Sequence, residues 1–437
     1  MENNKTYDII GIGIGPFNLG LAALLEPIED ISSLFLDQAE GFDWHPGLML
    51  DNATLQVPFM ADLVTMADPK SKFSFLNFLK ETDRLYKFYI REDFFILRKE
   101  YNLYCQWVVN QLQSCLFGKK VENIIFNETE QIFNIEVLDL KNNDVIKYTA
   151  KKIVLGTGTQ PRLPAFMKDK SFPHVIHTSE YLDHKEHILN ANSVSIIGSG
   201  QSAAEIFQDL LPETENGIFM SWFTRPDRFF PMEYSKLTLE LTSPEYVDHF
   251  YNMPSSQRKA VLAKQPPLYK GISYDLINDI FDALYGMSVG NTPLHVALKP
   301  SCQLDNISSE GNSYALNFTH IQDNATFTHI SDYVILATGY QYNEPKFLEN
   351  IENLIQRDED GLFEVSRYYT IDEAENIFVQ NAELHTHGFI TPDLGMGAYR
   401  NALIINTIAG KEIYKVEKRI AFQEFNTQKT WTAKHSS

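Results

Sequence analysis

A glycine cluster near the start of the chain has the residue types and spacing that bind a nucleotide. Gly13 and Gly15 follow an apolar run, and Asn18 occupies the place of the usual third glycine. Pro16 suits the first turn of the following helical pattern, because its missing N–H costs nothing there. Glycine lets the backbone approach a pyrophosphate, which the helix N-terminus then binds. Asp37 ends the next apolar run and is placed to accept hydrogen bonds from ribose hydroxyls. The cluster predicts a site for FAD or NAD, against the alternative of a turn that only packs a helix on a strand.

A second glycine cluster repeats the pattern in the middle of the chain. After the apolar run 194–197 come Gly198, Gly200, Gln201 and Ser202, and a helical pattern follows. Beyond the next predicted strand stands Arg225 instead of an acid. Arginine attracts a 2′-phosphate that an acid would repel, so this cluster favours NADPH over NAD. Two nucleotide folds in one chain indicate hydride transfer from a nicotinamide to a flavin, which leaves FAD to the first cluster.

The elements that must position these clusters follow from apolar spacing. Residues 120–155 alternate as strands, and prolines after Gly158 mark a crossing between domains. Residues 229–290 are helical and rich in aromatics. The predicted fold is α/β, with two Rossmann-like dinucleotide-binding domains and a small helical substrate domain. The predicted ranges are 1–164 and 332–437 for the FAD domain, 165–228 and 289–331 for the NADPH domain, and 229–288 for the helical domain.

Composition narrows the classes of partner. The net charge is −20, without a run of lysines and arginines, which argues against nucleic acid or an anionic membrane. The chain has 3 cysteines and no C-x-x-C pair, so a dithiol redox centre is excluded and a reducing cytoplasm is expected. The first residues are not expected to form a signal peptide or a membrane span, because they lack a basic region followed by an apolar core. His385 and His387 have no third ligand within reach in the sequence, so no metal site is predicted.

Four segments resemble the flavin-dependent N-hydroxylating monooxygenases, which include the lysine N6- and ornithine N5-monooxygenases of siderophore biosynthesis. The resemblance covers nearly the whole chain, from Asp8 to about Ile408. The segments are Gly-Ile-Gly-Pro-Phe-Asn-Leu from Gly13, Trp44-His-Pro-Gly47, Leu-Ala-Thr-Gly-Tyr340 and His385-Thr-His-Gly388.

The resemblance implies FAD in the first fold and NADPH in the second. It implies that NADPH reduces FAD, that O2 is the co-substrate, and that a C4a-hydroperoxyflavin passes an oxygen atom to a neutral primary amine. It also implies a homotetramer. Gln56 matches a family glutamine that lies over the flavin and contacts the nicotinamide nucleotide, against the alternative of a loop glutamine bonded to backbone. The other predicted cofactor contacts are Trp44, His45, Arg98, Thr338, Gly339 and Tyr340.

The chain departs from the amino-acid hydroxylases where they hold the substrate carboxylate. Those enzymes carry Phe-Leu-Lys-Asp-Leu, whereas this chain has Ala61 in place of the lysine. Their two substrate asparagines align with Met232 and Leu268, and a serine aligns with Gly395. A carboxylate without its cation would bind a few kcal/mol less tightly. The chain therefore looks most like a diamine N-monooxygenase acting on putrescine or cadaverine.

A diamine has a second ammonium, and Glu233 or Asp393 is predicted to accept it, against the alternative that both are ordinary helix-end or loop acids. The alternative activity is that of an L-lysine N6- or L-ornithine N5-monooxygenase. A sulfide- or ketone-oxidising flavin enzyme is a further alternative, but the segment 172–177 lacks the glycine of that group's linker motif. A nucleotide-binding protein without turnover is the last alternative, and the two intact glycine clusters weigh against it.

Overall fold

Two sheets organise the chain, one mixed and one parallel, and a strand of each leads into a glycine turn. The computed structural model describes residues 5–168, 170–290 and 293–427. Its strands are β1 (Thr6–Ile12), β2 (Ser33–Leu36), β3 (Thr54–Pro58), β4 (Phe95–Leu97), β5 (Cys115–Leu116), β6 (Lys119–Asn127), β7 (Ile132–Asp139), β8 (Asp144–Leu155), β9 (Gln160–Pro161), β10 (Val175–His177), β11 (Ser193–Ile197), β12 (Phe219–Phe223), β13 (Val296–Lys299), β14 (Cys302–Glu310), β15 (Ser313–His320), β16 (Ala325–Ser331), β17 (Tyr333–Leu336), β18 (Tyr340–Gln341) and β19 (Ile377–Val379).

The helices connect these strands and cover both sheets. They are α1 (Pro16–Leu25), α2 (Phe75–Glu81), α3 (Leu85–Arg91), α4 (Arg98–Val109), α5 (Tyr181–Ile188), α6 (Gln201–Leu210), α7 (Lys236–Leu239), α8 (Pro244–Tyr251), α9 (Ser255–Leu262), α10 (Pro266–Tyr269), α11 (Tyr274–Ser288), α12 (Leu384–His387) and α13 (Gly397–Ala409). Within the described residues, none of these helices is long and apolar enough to cross a bilayer.

The first sheet has the strand order β5-β2-β1-β8-β7-β6, and β19 also pairs with β8. β1 pairs in parallel with both β2 and β8, and its two faces pack in different core clusters, so Ile9 and Ile10 are both fully buried. The antiparallel strands β6 and β7 extend the edge, which confirms the strands predicted over 120–155. β19 brings a late segment of the chain back beside β8, so this sheet is discontinuous in sequence.

The second sheet has the parallel order β10-β17-β11-β12-β13. β17 pairs with β11, so the chain returns to the first sheet after Leu336 and not after residue 331, where the sequence pattern placed the crossing. The segment from Asp332 resembles a strand that leads into the FAD fold, but its hydrogen bonds belong to the second sheet. The crossings run side by side, because β9 and β18 pair antiparallel.

The predicted helical segment 229–288 contains α7 to α11, between β12 and β13. A stretch near the C-terminus, residues 420–425, fastens this segment to the rest of the molecule. The backbone N–H groups of Ile420 and Ala421 donate to the carboxylate of Glu245 at 2.6 and 3.0 Å. Those of the next two residues donate to Glu240, both at 3.0 Å. We call residues 420–425 the C-terminal strap.

The aromatic helices beside the first sheet show that apolar periodicity identifies the buried face of one helix but not the point at which another is interrupted. α4 buries one face, made of Tyr101, Tyr104, Cys105 and Val108. The segment from Phe75 to Tyr86 has helical spacing throughout, but it is divided between α2 and α3. Asp83 between them has a φ of +57°, a left-handed conformation that a continuous helix does not permit.

Candidate functional site

The first glycine turn is open toward solvent on one side and closed by backbone on the other. Gly13 has a φ of +89°, and a Cβ there would lie 2.4 Å from the carbonyl oxygen of Gly156. Gly15 is the N-cap of α1 and Pro16 its first residue, as predicted. A Cβ at Gly15 would have nothing within 4 Å. The turn thus presents free N–H groups at a helix N-terminus, which fits a pyrophosphate.

The two polar residues predicted beside this turn brace it. Asn18 is fully buried, and its Nδ2 donates to the carbonyl of Gly13 at 2.8 Å. It therefore holds the turn from inside. The backbone N–H of Ile14 donates to Asp37 at 2.6 Å, and the N–H of Ala39 donates to the other carboxylate oxygen at 2.8 Å. Each carboxylate oxygen keeps a further lone pair for a ribose hydroxyl.

Sequence reasoning missed the glycine that makes room for Asn18. A Cβ at Gly156 would lie 2.4 Å from Asn18 Nδ2. Gly156 follows β8, directly beside the turn that follows β1. The Gly-Thr-Gly ending of the predicted strand was the available signal.

Aromatic rings line the cleft beside the first turn. The rings of Trp44 and His45 are 4.8 Å apart, and the rings of His45 and Tyr340 are 5.6 Å apart. His45 is exposed at the surface of the cleft, yet desolvation of its ring by the neighbouring protein, together with the Arg98 guanidinium, lowers the pKa of its imidazole to about 4. His45 is therefore neutral at physiological pH. A neutral, aromatic wall fits a flat ring system such as a flavin.

The other predicted residues of this wall lie where the chain returns from the second sheet. The Thr338 hydroxyl donates to the carbonyl of Arg162. The Gly339 carbonyl lies 3.0 Å from Nε2 of His177, and Gly339 has a φ of +78°. Backbone bonds thus fix the path of the chain into Tyr340.

A polar junction joins β3, α4 and α6. Gln56 Nε2 donates to Gln201 Oε1 at 3.2 Å, and Gln201 Nε2 donates to Glu205 Oε1 at 3.0 Å. Arg98 donates to the same Glu205 oxygen at 2.8 Å. The backbone N–H of Ser273, just before α11, donates to Gln201 Oε1 at 2.8 Å. Three predicted cofactor residues thus meet where the two sheets and the helical segment come together.

Glu205 is a member of this junction that sequence reasoning missed. It is 5% exposed and lies one helical turn after Gln201. An acid in the first half of a helix that follows a glycine turn was the available signal.

The second glycine turn repeats the geometry of the first. Gly198 has a φ of +147°, and a Cβ there would lie 2.2 Å from the carbonyl oxygen of Ala337. Gly200 is the N-cap of α6, and the half-buried Ser202 is its second residue. Trp222 Nε1 donates to the Gly198 carbonyl at 2.7 Å. This turn also leaves a helix N-terminus open to a pyrophosphate.

Three cations lie within electrostatic range of one another near the second turn, although the chain as a whole is acidic. Arg225 is exposed just beyond β12. Lys270 lies beside Gly200, whose Cβ would be 3.5 Å from the Lys270 carbonyl oxygen. Burial, with the charges of Arg162 and Arg225, lowers the pKa of Lys270. Sequence reasoning found Arg225 but missed Arg162 and Lys270, which come from the domain crossing and the helical segment. Together they fit a 2′-phosphate.

Replacing Arg225 by glutamine is expected to lower kcat/KM for NADPH by ten- to a hundredfold and to leave NADH oxidation unchanged. Hydrogen bonds to charged groups contribute about 1.5–3 kcal/mol, and only NADPH has the 2′-phosphate. Steady-state rates with both nucleotides measure the effect. Arg228→Gln is the control, because Arg228 is exposed and paired with Asp227. An equal loss for NADH would contradict a role at the 2′-phosphate.

Three of the predicted substrate residues meet in one place. A Cβ at Gly395 would lie 3.8 Å from the Cβ of Ala61 and 3.2 Å from Oδ1 of Asp393. The Asp393 oxygen accepts from the backbone N–H of Gly395 at 2.8 Å and caps the short turn 394–396. Burial raises the pKa of Asp393, and the charge of Arg400 opposes this. A carboxyl group thus lies in an otherwise apolar recess.

The other three predicted substrate residues lie along the helical segment. Met232 and Glu233 are held by backbone bonds to Ile272 and Pro267 at 2.6 and 2.9 Å. The Glu233 carboxylate is exposed and accepts from the Thr238 hydroxyl at 3.0 Å. Leu268 packs in the apolar cluster of the helical segment and not against Ala61.

Aromatic side chains lie beside the recess, and two of them, Phe94 and Tyr234, are exposed to solvent. The rings of Phe59 and Phe94 stack at 6.0 Å, and those of Phe95 and Tyr234 meet at 5.8 Å. The charge of Asp393 adds to the effect of burial in raising the pKa of Tyr234, so the two groups lie within electrostatic range of each other. The recess can hold a cation at Asp393 against an apolar wall.

The His385-Thr-His-Gly segment packs behind the recess. His387 is fully buried, and its ring stacks on Tyr369 at 4.5 Å. Burial and the charges of Arg367 and Arg400 hold the pKa of His387 well below its ordinary value. Within the described residues, no group of three or more His, Cys, Asp or Glu side chains is arranged to hold a metal ion.

The free energy of unfolding is expected to fall as the pH drops below about 6.5. The unfolded chain binds a proton at His387 there and the folded chain does not, so the slope approaches about 1.4 kcal/mol per pH unit for this residue. Denaturant titrations between pH 7 and 5 on wild type and His387→Asn measure it. The variant should have a shallower slope. Equal slopes in the two proteins would refute this assignment.

Comparison with known proteins agrees with these features. The family model described as L-lysine 6-monooxygenase/L-ornithine 5-monooxygenase matches residues 5–342. A putrescine N-hydroxylase of Shewanella oneidensis is 48% identical over 420 residues, which are 96% of this chain and 84% of that protein. The FAD-bound cadaverine monooxygenase DfoA of the desferrioxamine pathway of Erwinia amylovora superposes with a TM-score of 0.95 at 46% identity, over 97% of this chain and 99% of that one. An ornithine N-hydroxylase of Kutzneria, with reduced FAD, NADP+ and L-ornithine, has a TM-score of 0.86 at 25% identity, over 93% of this chain and 99% of that one.

Proposed function

The chain belongs to the L-lysine 6-monooxygenase/L-ornithine 5-monooxygenase family, and from that membership we propose that it hydroxylates one amino group of an aliphatic diamine. The substrate is putrescine or cadaverine, and the product serves hydroxamate siderophore biosynthesis. The enzyme is an FAD- and NADPH-dependent N-hydroxylating monooxygenase. The reaction consumes R–NH2, O2, NADPH and H+ and yields R–NHOH, water and NADP+.

One observation carries the choice of a diamine. The recess contains Asp393 and has Ala61 where the amino-acid hydroxylases have a lysine. A carboxylate attracts an ammonium and repels the carboxylate of lysine or ornithine. The named relatives that act on putrescine and cadaverine support the same choice. An amino-acid substrate would find an anion at the place where it needs a cation.

The two glycine turns suit the two nucleotides. We assign FAD to the turn at Gly13 and Gly15, beside Asp37 and the aromatic wall, and NADPH to the turn at Gly198 and Gly200. When bound, FAD supplies the redox chemistry that takes a hydride from NADPH and activates O2. The three cations around the second turn select the 2′-phosphate, and Gln56 lies between the two sites.

The protein's own contribution to the chemistry is to bind and deprotonate the amine. An ammonium with a pKa near 10.4 is only about 0.1% neutral at pH 7.4, a difference of about 4 kcal/mol. The apolar and aromatic wall of Phe59, Phe95 and Tyr234 disfavours the charged form of the reacting nitrogen. Asp393 holds the second nitrogen as an ammonium at the far end. The same wall excludes water from the reacting centre.

The test is hydroxylamine formed per NADPH oxidised, across C3 to C6 diamines with L-lysine and L-ornithine as comparison substrates. Putrescine or cadaverine should give the highest kcat/KM, and the amino acids should be inert. A higher kcat/KM for L-lysine would overturn the choice of a diamine. A purified protein that is colourless and cannot be reconstituted with FAD would overturn the enzyme assignment.

We further propose a homotetramer. Two separate helices expose large apolar side chains: Tyr86 and Tyr89 on α3 are 78% and 73% exposed, and Phe281 and Tyr285 on α11 are both 66% exposed. Two distinct apolar faces are what a tetramer with two kinds of interface requires. Light scattering should give four copies for wild type and fewer for Phe281→Glu or Tyr86→Glu.

We place the reaction in the cytoplasm, because it needs NADPH and because Cys105, Cys115 and Cys302 form no disulfide.

A further inference from the structure

The polar junction contains amide groups whose orientation can be worked out from hydrogen-bond chemistry. The Glu205 carboxylate only accepts, so the group that Gln201 presents to it must be the NH2. The backbone N–H of Ser273 only donates, so the group that it meets must be the Gln201 oxygen. These two constraints come from different elements and give the same orientation of the Gln201 amide.

The orientation of Gln201 then determines that of Gln56. Because the Gln201 oxygen faces it, Gln56 must donate with its own NH2. The Gln56 carbonyl oxygen is left to accept a hydrogen bond from another group. An N–H donor in the cleft, such as the carboxamide of a bound nicotinamide, is the chemical match for such an oxygen.

Glu205 is suited to control this arrangement. Its side chain is 5% exposed, and one of its oxygens accepts from both Arg98 and Gln201. Its other oxygen is buried and has no partner among the described residues. The ion pair with Arg98 keeps the carboxylate charged, and therefore unable to donate. A carboxylate at this position tolerates only one orientation of Gln201.

We infer that Glu205 is a positioning residue that fixes the Gln201 amide and, through it, keeps the Gln56 carbonyl oxygen turned toward the nucleotide cleft. We call the series Glu205, Gln201 and Gln56 the amide relay. The inference rests on the proposed function, because it assumes that NADPH binds at the second glycine turn. It adds a residue of α6 to the groups that govern how the nucleotide lies against the first domain.

Two variants separate the relay from the stability of the junction. In Glu205→Gln the amide oxygen can still accept from Gln201 and Arg98, so the relay is kept while the Arg98 charge loses its partner. In Gln201→Met the relay is cut and the ion pair is kept. Asp209→Asn is the matched control, because Asp209 is on the same helix but pairs with Lys185 and Tyr181 instead.

The readouts are the Kd of NADP+, from titration of the FAD-loaded protein, the Tm, and the hydrogen peroxide released per NADPH oxidised. Gln201→Met should bind NADP+ at least tenfold more weakly and release more peroxide, with a Tm near wild type. Glu205→Gln should have a lower Tm but an NADP+ Kd within about threefold of wild type. Asp209→Asn should change neither the Kd nor the peroxide fraction. Adding Glu205→Met to Gln201→Met should cause no further loss of NADP+ affinity.

The relay is refuted if Gln201→Met binds NADP+ like wild type, or if Glu205→Gln weakens binding as much as Gln201→Met does. A further loss of NADP+ affinity in the double variant, relative to Gln201→Met alone, would also refute it. Should Glu205→Met not fold, the pair of Gln201→Met and Glu205→Gln still decides. Diamine turnover by wild type in the same preparations tests the proposed function separately.

Discussion

Replacing Asp393 by asparagine is expected to weaken the binding of putrescine and cadaverine by about a hundredfold. The variant removes the charge that we propose holds the second ammonium, and truncating one partner of a buried charge pair costs about 2–5 kcal/mol. The asparagine oxygen can still accept from the backbone N–H of Gly395, so the local turn is kept. KM and kcat for both diamines measure the effect.

A monoamine of the same length isolates the cause. Butylamine lacks the second ammonium, so its KM should be nearly equal in wild type and Asp393→Asn. Glu233→Gln is the matched control, since the Glu233 carboxylate is exposed and bonded to Thr238. If Glu233→Gln raises the KM for the diamines and Asp393→Asn does not, the second ammonium binds at Glu233 instead.

Replacing Gly13 by alanine is expected to give a protein that is purified without flavin, with affinity for FAD lowered by a thousandfold or more. The new Cβ would lie 2.4 Å from the backbone oxygen of Gly156, which cannot rotate away. The φ of +89° adds strain for any residue with a side chain. Relieving both would displace the turn that receives the pyrophosphate.

Flavin absorbance after purification and FAD titration of the stripped protein measure this loss. Gly286→Ala is the control, because Gly286 lies within α11 and a Cβ there would have nothing within 4 Å. Circular dichroism should show that both variants fold. If folded Gly13→Ala were purified with one FAD per chain, the first glycine turn would not be a close contact of the FAD pyrophosphate.

Local patterns predicted the parts of the site that are continuous in sequence. A strand, a glycine turn and a helix need only neighbouring residues, so both cradles and the N-caps at Gly15 and Gly200 were predictable. Asp37 was also predictable, because its distance from the turn follows from the length of one βαβ unit. The missing lysine at Ala61 was visible only through the family resemblance.

Contacts between distant segments were not predictable in this way. Lys270 reaches the second turn from the helical segment, and Arg162 comes within electrostatic range of Lys270 from the crossing, so no local spacing relates them to Arg225. Glu205 was missed because its ion-pair partner, Arg98, lies on α4, far away in the sequence. The boundary near residue 332 was misplaced because β17 has the same apolar composition in either sheet, and only its pairing decides.

The C-terminal strap limits the order in which the chain can fold during its synthesis. The strap's backbone N–H groups bind Glu240 and Glu245, which the ribosome makes about 175 residues earlier. Domains fold as they emerge during synthesis, at about 5–20 residues per second. The helical segment therefore lacks these hydrogen bonds for about ten seconds or more after its own synthesis, until almost the entire chain has been translated. A nascent chain halted before residue 420 would contain both glycine turns and a helical segment without these hydrogen bonds.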